Sequence, residues 1–285
     1  MAQVFSIASG KGGVGKTLVT AALGTALAID GRKVLLIDGD MGLRNMDLVL
    51  GLENECFYNI CDLAEGRCFL EDAVLSVADN LDFLPASQTD SWETVFPAAM
   101  DMVLEDIHWL YDFILIDCPA GMGKGIETAF HISNKILLVV APSWASRRNA
   151  DRLLPLIPQG RDYRYILNQF SEMDDTSLSF DEIMETVDAE LFGGVIPYSR
   201  RADRLGHNGH IYDMDRESAF VGALEQVLLS VVEGKEFSEN RWKSFIRLSD
   251  KENGKDILRN NDEKNKRSGL SWHSGSPAYK WHRRR

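Results

Sequence analysis

Short runs of Val, Ile, Leu and Phe recur along the chain, and between them apolar residues return every three or four positions. The runs are continuous rather than alternating, as strands covered on both faces must be. They predict strands at Val4 to Ala8, Val34 to Ile37, Leu81 to Leu84, Phe113 to Ile116, Ile136 to Val140, Tyr165 to Leu167 and Gly194 to Ile196. The intervening stretches predict helices at Lys16 to Ile29, Phe96 to Trp109, Gly125 to Ser133, Ser146 to Leu156, Phe180 to Val187 and Ser218 to Val232. Strands alternating with helices imply an α/β fold, a mostly parallel sheet with helices on both faces. No internal repeat or low-complexity linker interrupts residues 1–235, so they read as one domain.

Beyond Gly234 the pattern changes. A short helix is expected from Ser238 to Ser249, and the polar, charged stretch 250–285 reads as a disordered tail. The chain has 285 residues and a formal net charge of −12, yet its last stretch from Arg241 is basic. An acidic body argues against a protein that coats nucleic acid, while a basic tail suits an anionic partner. No apolar run approaches the ~20 residues of a membrane span. The N-terminus lacks the basic start of a signal peptide. Cys56, Cys61, Cys68 and Cys118 match no zinc or disulfide spacing, which suits a reducing, cytoplasmic setting.

The sharpest chemistry lies after the first strand. Ser9 to Thr17 reads SGKGGVGKT, a G-x-x-x-x-G-K-T match between a buried strand and a helix. Gly10, Gly12, Gly13 and Gly15 free the backbone so that successive N–H groups, with those of Lys11, Val14 and Leu18, close around phosphate. The helix adds its positive end to the same anion. Lys16 is expected to reach the β- and γ-phosphates of ATP, and the Thr17 hydroxyl to ligate Mg²⁺. Two apolar strands end in acid: VLLIDGD with Asp38 and Asp40, and FILIDCPAG with Asp117. Strand-end aspartates are often mere turn residues. Beside a phosphate loop they read as support for Mg²⁺, because ligands in open α/β sheets bind at the carboxyl ends of strands. Gly121, Gly123 and Gly125 add a loop that could sense the γ-phosphate.

The second lysine of KGGVGKT, Lys11, resembles that of the deviant Walker A ATPases. The stretch DGDMGLRNMDLVLGLENECFYNICDLAEGRC, Asp38 to Cys68, resembles the MinD family among them. LPASQT, IDCPAG, ADR and GVIP extend the likeness over residues 2–235. ParA-type partition proteins usually carry D-x-D-P-Q where this chain reads DGDMG. The LRN of Leu43 to Asn45 favours MinD over flagellar-number regulators, which with the DNA partition ATPases are the alternative readings. Leu18 in place of a second Thr, and PSWASRRNADR at Pro142 to Arg152, depart from the family pattern.

The resemblance implies a P-loop NTPase of the SIMIBI type and an ATP-bound homodimer in which Lys11 crosses to the partner's phosphates. It implies that Asp40 orients the attacking water, that Asp38 and Asp117 stand on the metal side, and that Asn168 and Pro197 contact adenine. It further implies a role in placing the division septum, a MinC-like inhibitor, and a MinE-like activator or substitute. The last implied feature is a short amphipathic helix on the inner face of the membrane. FSENRWKSFIRLS places Trp242, Phe245 and Ile246 on one stripe among Arg241, Lys243 and Arg247, a pattern suited to anionic lipid.

Overall fold

In the computed structural model, residues 1–90, 103–105, 107–119, 121–174, 176–185, 187–236 and 238–268 are described, with side chains to residue 258. The strands are β1 (Gln3–Ala8), β2 (Val34–Asp38), β3 (Leu75–Ala78), β4 (Leu81–Leu84), β5 (Phe113–Asp117), β6 (Lys135–Val140), β7 (Asp162–Phe170) and β8 (Phe192–Pro197). They form one sheet in the order β3-β4-β2-β5-β1-β6-β7-β8, parallel except for β3. The helices are α1 (Lys16–Ile29), α2 (Met46–Leu50), α3 (Ile60–Ala64), α4 (Leu70–Ala73), α5 (Lys124–Ile132), α6 (Trp144–Asp151), α7 (Phe180–Met184), α8 (Arg200–His207), α9 (Ala219–Glu233) and α10 (Glu239–Ser268).

The central strands β2 and β5 are buried at every position, which is why their sequences are unbroken apolar runs. Each expected strand and α1 are found. The helix expected at Ser146 to Leu156 is α6 followed by a single turn of 3₁₀ helix at Leu154–Leu156, because Pro155 cannot continue an α-helical ladder. The helix expected at Phe96 to Trp109 lies largely outside the described residues; 103–105 are helical. β3 was not predicted. It is a short, half-buried edge strand, and its antiparallel pairing follows a tight turn through Asn80, which takes a positive φ of 62°.

The tail departs most from expectation. Residues 250–268 are not irregular: they continue one helix from Glu239. Nor is the stripe Trp242, Phe245, Ile246 free to face lipid. Trp242 and Ile246 are 4% and 1% exposed, and Phe245 is half-buried. The indole meets Phe192 edge to face at 6.3 Å between centroids. It lies over Gly194, where an added Cβ would come within 2.5 Å of the ring. The side chain missing at Gly194 is therefore what makes room for the helix. A helix with one aromatic stripe gains as much by covering its own domain as by covering lipid, and here the domain supplies the seat.

Trp242→Ala would leave a large cavity against β8. We expect it to destabilise the protein by about 3 kcal/mol in urea titration. A free interfacial helix would give almost no change.

Candidate functional site

The loop after β1 enters α1 through Gly13 and Gly15, whose φ values of 83° and 81° belong to the left-handed region. Nothing lies within 4 Å of a Cβ built on Gly12 or Gly13, so the front of the loop is open for an anion. Gly10 backs directly onto α6: an added Cβ would sit 1.9 Å from the Asn149 carbonyl oxygen. The loop is thus held from behind by backbone and open in front.

Lys16, Thr17 and Asp117 meet at the start of α1 and the end of β5. Lys16 Nζ donates to Asp117 Oδ1 at 2.6 Å, and both side chains are buried, at 8% and 1% exposure. Thr17 Oγ1 donates to Asp117 Oδ2 at 2.6 Å, and Thr20 Oγ1 to Oδ1 at 3.2 Å. β2 pairs with β5 so that Asp38 stands level with Asp117. The Asp38 carboxylate accepts from the backbone N–H of Asp40 at 2.8 Å and of Met46 at 3.2 Å. It therefore fixes the turn that presents Asp40, which is only half-buried.

The electrostatics follow from this crowding. Burial, the largest influence, raises the Asp38 pKa; the Asp117 charge adds to it, and the two N–H donors and Lys16 oppose it, leaving it at about 7. Burial likewise raises Asp40, with Lys16 pulling it down and Asp117 pushing it up. For Lys16, burial alone would lower the pKa. Attraction to Asp117, their hydrogen bond and the Asp40 charge outweigh it, so the net shift is upward. Cys118 directly follows Asp117, but full burial pushes its thiol up to about 12, so it stays protonated and unreactive.

A raised carboxyl pKa stabilises the fold while the group is protonated. Asp38 thus contributes its full share below the ordinary value of 3.8 and loses it as pH rises through about 7. We expect the parent's Tm to fall by a few degrees between pH 5 and pH 8 by calorimetry, and Asp38→Asn, whose amide cannot accept from both the Asp40 and Met46 N–H groups, to flatten that pH dependence without raising Tm.

Asn168 is buried at the end of β7, and its Nδ2 donates to the Val14 carbonyl oxygen at 2.8 Å. One amide proton is thus spent on the loop. Pro197 pairs beside it, opposite Phe170. A cavity of about 700 Å³ opens next to the loop, walled by Gly13, Gly15, Leu18, Gln169, Asp203 and Gly206. The sequence did not single out Gln169, Asp203 or Gly206. A clue was available in Leu18, which departs from the Thr that the resemblance leads one to expect: a Cβ on Gly206 would fall 2.6 Å from its methyl, so the bare backbone there makes room for it. Lys11 is exposed on the loop. Trp242, Phe245 and Ile246 lie elsewhere, on the β8 side of the body.

The oxygen donors Thr17, Asp38 and Asp117, grouped at the strand ends beside an open N–H cradle, have the chemistry that Mg²⁺ with a nucleotide phosphate requires. Among the described residues no cluster of His, Cys, Asp and Glu suits a metal held by protein alone. A site of this kind takes its metal together with phosphate oxygens.

Residues 2–170 match the family model described as an AAA domain. The septum site-determining protein MinD of Bacillus subtilis is 37% identical over 202 residues, covering 68% of this chain and 75% of that relative. Among solved structures, the MinC:MinD cell division complex of Aquifex aeolicus superposes with a TM-score of 0.71 at 35% identity, covering 83% of this chain and 98% of that one. Septum site-determining MinD from Pyrococcus horikoshii, complexed with Mg-ADP, gives a TM-score of 0.69 at 30% identity, with coverage of 82% and 97%. Both structures are covered almost whole while this chain is not, so it carries more chain than either.

Proposed function

The chain belongs to the MinD family of P-loop ATPases, and from that premise we propose that it is a Mg²⁺-dependent ATP hydrolase that dimerises on ATP and positions the division septum. The observation that carries the reading is the convergence of Lys16, Thr17, Asp38 and Asp117 beneath an open glycine loop. The Aquifex relative is complexed with MinC and the Pyrococcus relative with Mg-ADP, which supports a MinC-like partner and a Mg-nucleotide for this chain.

The residues divide the work. The N–H groups of Gly10 to Leu18 bind the phosphates, and Lys16 carries positive charge to the transferring end. Thr17, Asp38 and Asp117 are the oxygen groups that would hold Mg²⁺, which supplies neutralisation of phosphate charge when bound. Asp117 already orients Lys16 and Thr17, so entering phosphate competes with it for the lysine and frees its carboxylate toward the cation. Asp40, half-buried with its pKa raised by burial, is the group that would orient the attacking water. Asn168 ties the base end to the loop through Val14, and Pro197 lies beside it. Lys11, exposed on the loop, is the group that would act on a partner's phosphates.

Peripheral residence on the inner face of the membrane belongs to the same reading. Among the described residues no helix is long and apolar enough to cross a membrane. With Trp242 and Ile246 buried, lipid contact in the nucleotide-bound state would require a surface other than the docked stripe of α10.

Co-sedimentation with anionic vesicles in ATP, ADP and no nucleotide tests this. ATP-dependent binding by the full chain, together with minicell formation when the host lacks the protein, supports septum placement. Binding in no nucleotide state removes the membrane from the reading.

A further inference from the structure

Past its aromatic anchor, α10 changes character. Ser249, Asp250, Glu252, Asn253 and Asp256 continue the docked face, and every one of them bonds to the body. Asp250 accepts from Ser171 Oγ at 2.6 Å and from the Glu172 N–H at 3.1 Å, just past the end of β7. Ser249 Oγ and Asn253 Nδ2 both donate to the Tyr198 carbonyl, at 2.8 and 2.9 Å, just past the end of β8. Asn253 Oδ1 accepts the N–H of Arg200, the first residue of α8, at 2.9 Å. Asp256 pairs with Arg204 at 3.3 Å, one turn further along α8. Glu252 accepts the N–H of Ala219 at the start of α9.

These contacts fall on the parts of the fold that frame the cavity beside the phosphate loop. α8 supplies Asp203 and Gly206 to its wall, and the residue after Asn168 supplies Gln169. The Tyr198 N–H in turn donates to the Phe170 carbonyl at 2.8 Å, joining the two loops that α10 grips. An α-helix start has backbone N–H groups without partners, so a side chain that satisfies one fixes where the helix begins. Here the side chains doing so come from a different helix: Asn253 lies 53 residues from Arg200, and Glu252 lies 33 from Ala219.

We propose that the polar row Asp250, Asn253 and Asp256 of α10 positions the nucleoside wall of the ATP site, so that tail docking and nucleoside binding reinforce each other. The inference rests on the reading that the cavity beside the phosphate loop takes the nucleoside. The coupling is reciprocal, as any binding linkage must be: nucleotide slows opening of α10, and loss of α10 contacts weakens nucleotide.

Titration calorimetry on the full chain separates the possibilities, using ATP, ADP and inorganic tripolyphosphate as probes. The double variant Asp250→Ala/Asn253→Ala should lose about tenfold in affinity for ATP and for ADP, and less than about twofold for tripolyphosphate. Asn253→Asp keeps an acceptor for the Arg200 N–H but sets a carboxylate oxygen against the Tyr198 carbonyl, so it should lose part of the ATP affinity and leave tripolyphosphate affinity unchanged. Equal losses for all three probes would mean general loosening of the fold, and no loss would mean that α10 is passive; either overturns the proposal. Leu18→Trp, which fills the cavity directly, tests the premise. If it spares ATP binding, the nucleoside reading fails and the proposal with it. If it weakens ATP over tripolyphosphate while the double variant does not, the proposal alone fails.

Discussion

Lys16→Ala is expected to lower ATP turnover by about a thousandfold or more, since one positioned charge at the transferring phosphate is worth that much. The structure adds a second consequence. Lys16 and Asp117 form a buried pair, and removing the lysine strands a carboxylate that is 1% exposed. Thr17 and Thr20 still donate to it, so the cost falls toward the lower end for a broken buried pair, about 3 kcal/mol. The two effects separate in the double variant Lys16→Met/Asp117→Asn. It should recover most of the stability in urea titration and none of the turnover. A double variant as unstable as Lys16→Ala would show that the ion pair is not what holds this corner together.

Lys11→Ala should behave oppositely. Lys11 is exposed and makes no buried pair, so stability should move by less than about 0.5 kcal/mol. ATP affinity of the monomer should also hold, because the loop's N–H groups and Lys16 remain. Turnover should nevertheless fall by at least about a hundredfold if this lysine completes a partner's site as an arginine finger does. Loss of monomer affinity equal to the loss of turnover would instead assign Lys11 to its own nucleotide.

Much of this site is legible in the sequence because its parts are local. The glycine spacing, the Lys-Thr that opens α1, and the aspartates that close two apolar runs each announce themselves within a few residues. α1 begins and ends where its pattern says. What the sequence hides is pairing at a distance. Asn168 reads as a strand-end amide; only the fold shows one of its protons committed to Val14. The tail is the clearest case. Trp242, Phe245 and Ile246 form the same stripe whether lipid or protein covers them, and the deciding feature lies elsewhere, in the bare backbone of Gly194 and Gly222. A Cβ on Gly222 would lie 2.6 Å from the Phe245 ring. The polar run after Ser249 looks like a disordered tail because its residues seek no core. Asp250, Glu252, Asn253 and Asp256 find helix starts and loop backbone instead, and composition alone does not distinguish the two.

The account turns on a nucleotide site completed across two copies of the chain, and mixing two inactive variants tests it most directly. Lys11→Ala and Asp40→Ala should each be nearly inactive alone. In a mixed dimer, the site that keeps its own Asp40 receives Lys11 from the other copy. The account therefore predicts that mixing restores ATP turnover, and that the restored activity rises with protein concentration. A mixture no more active than its separate components would contradict it and place both residues on the same nucleotide.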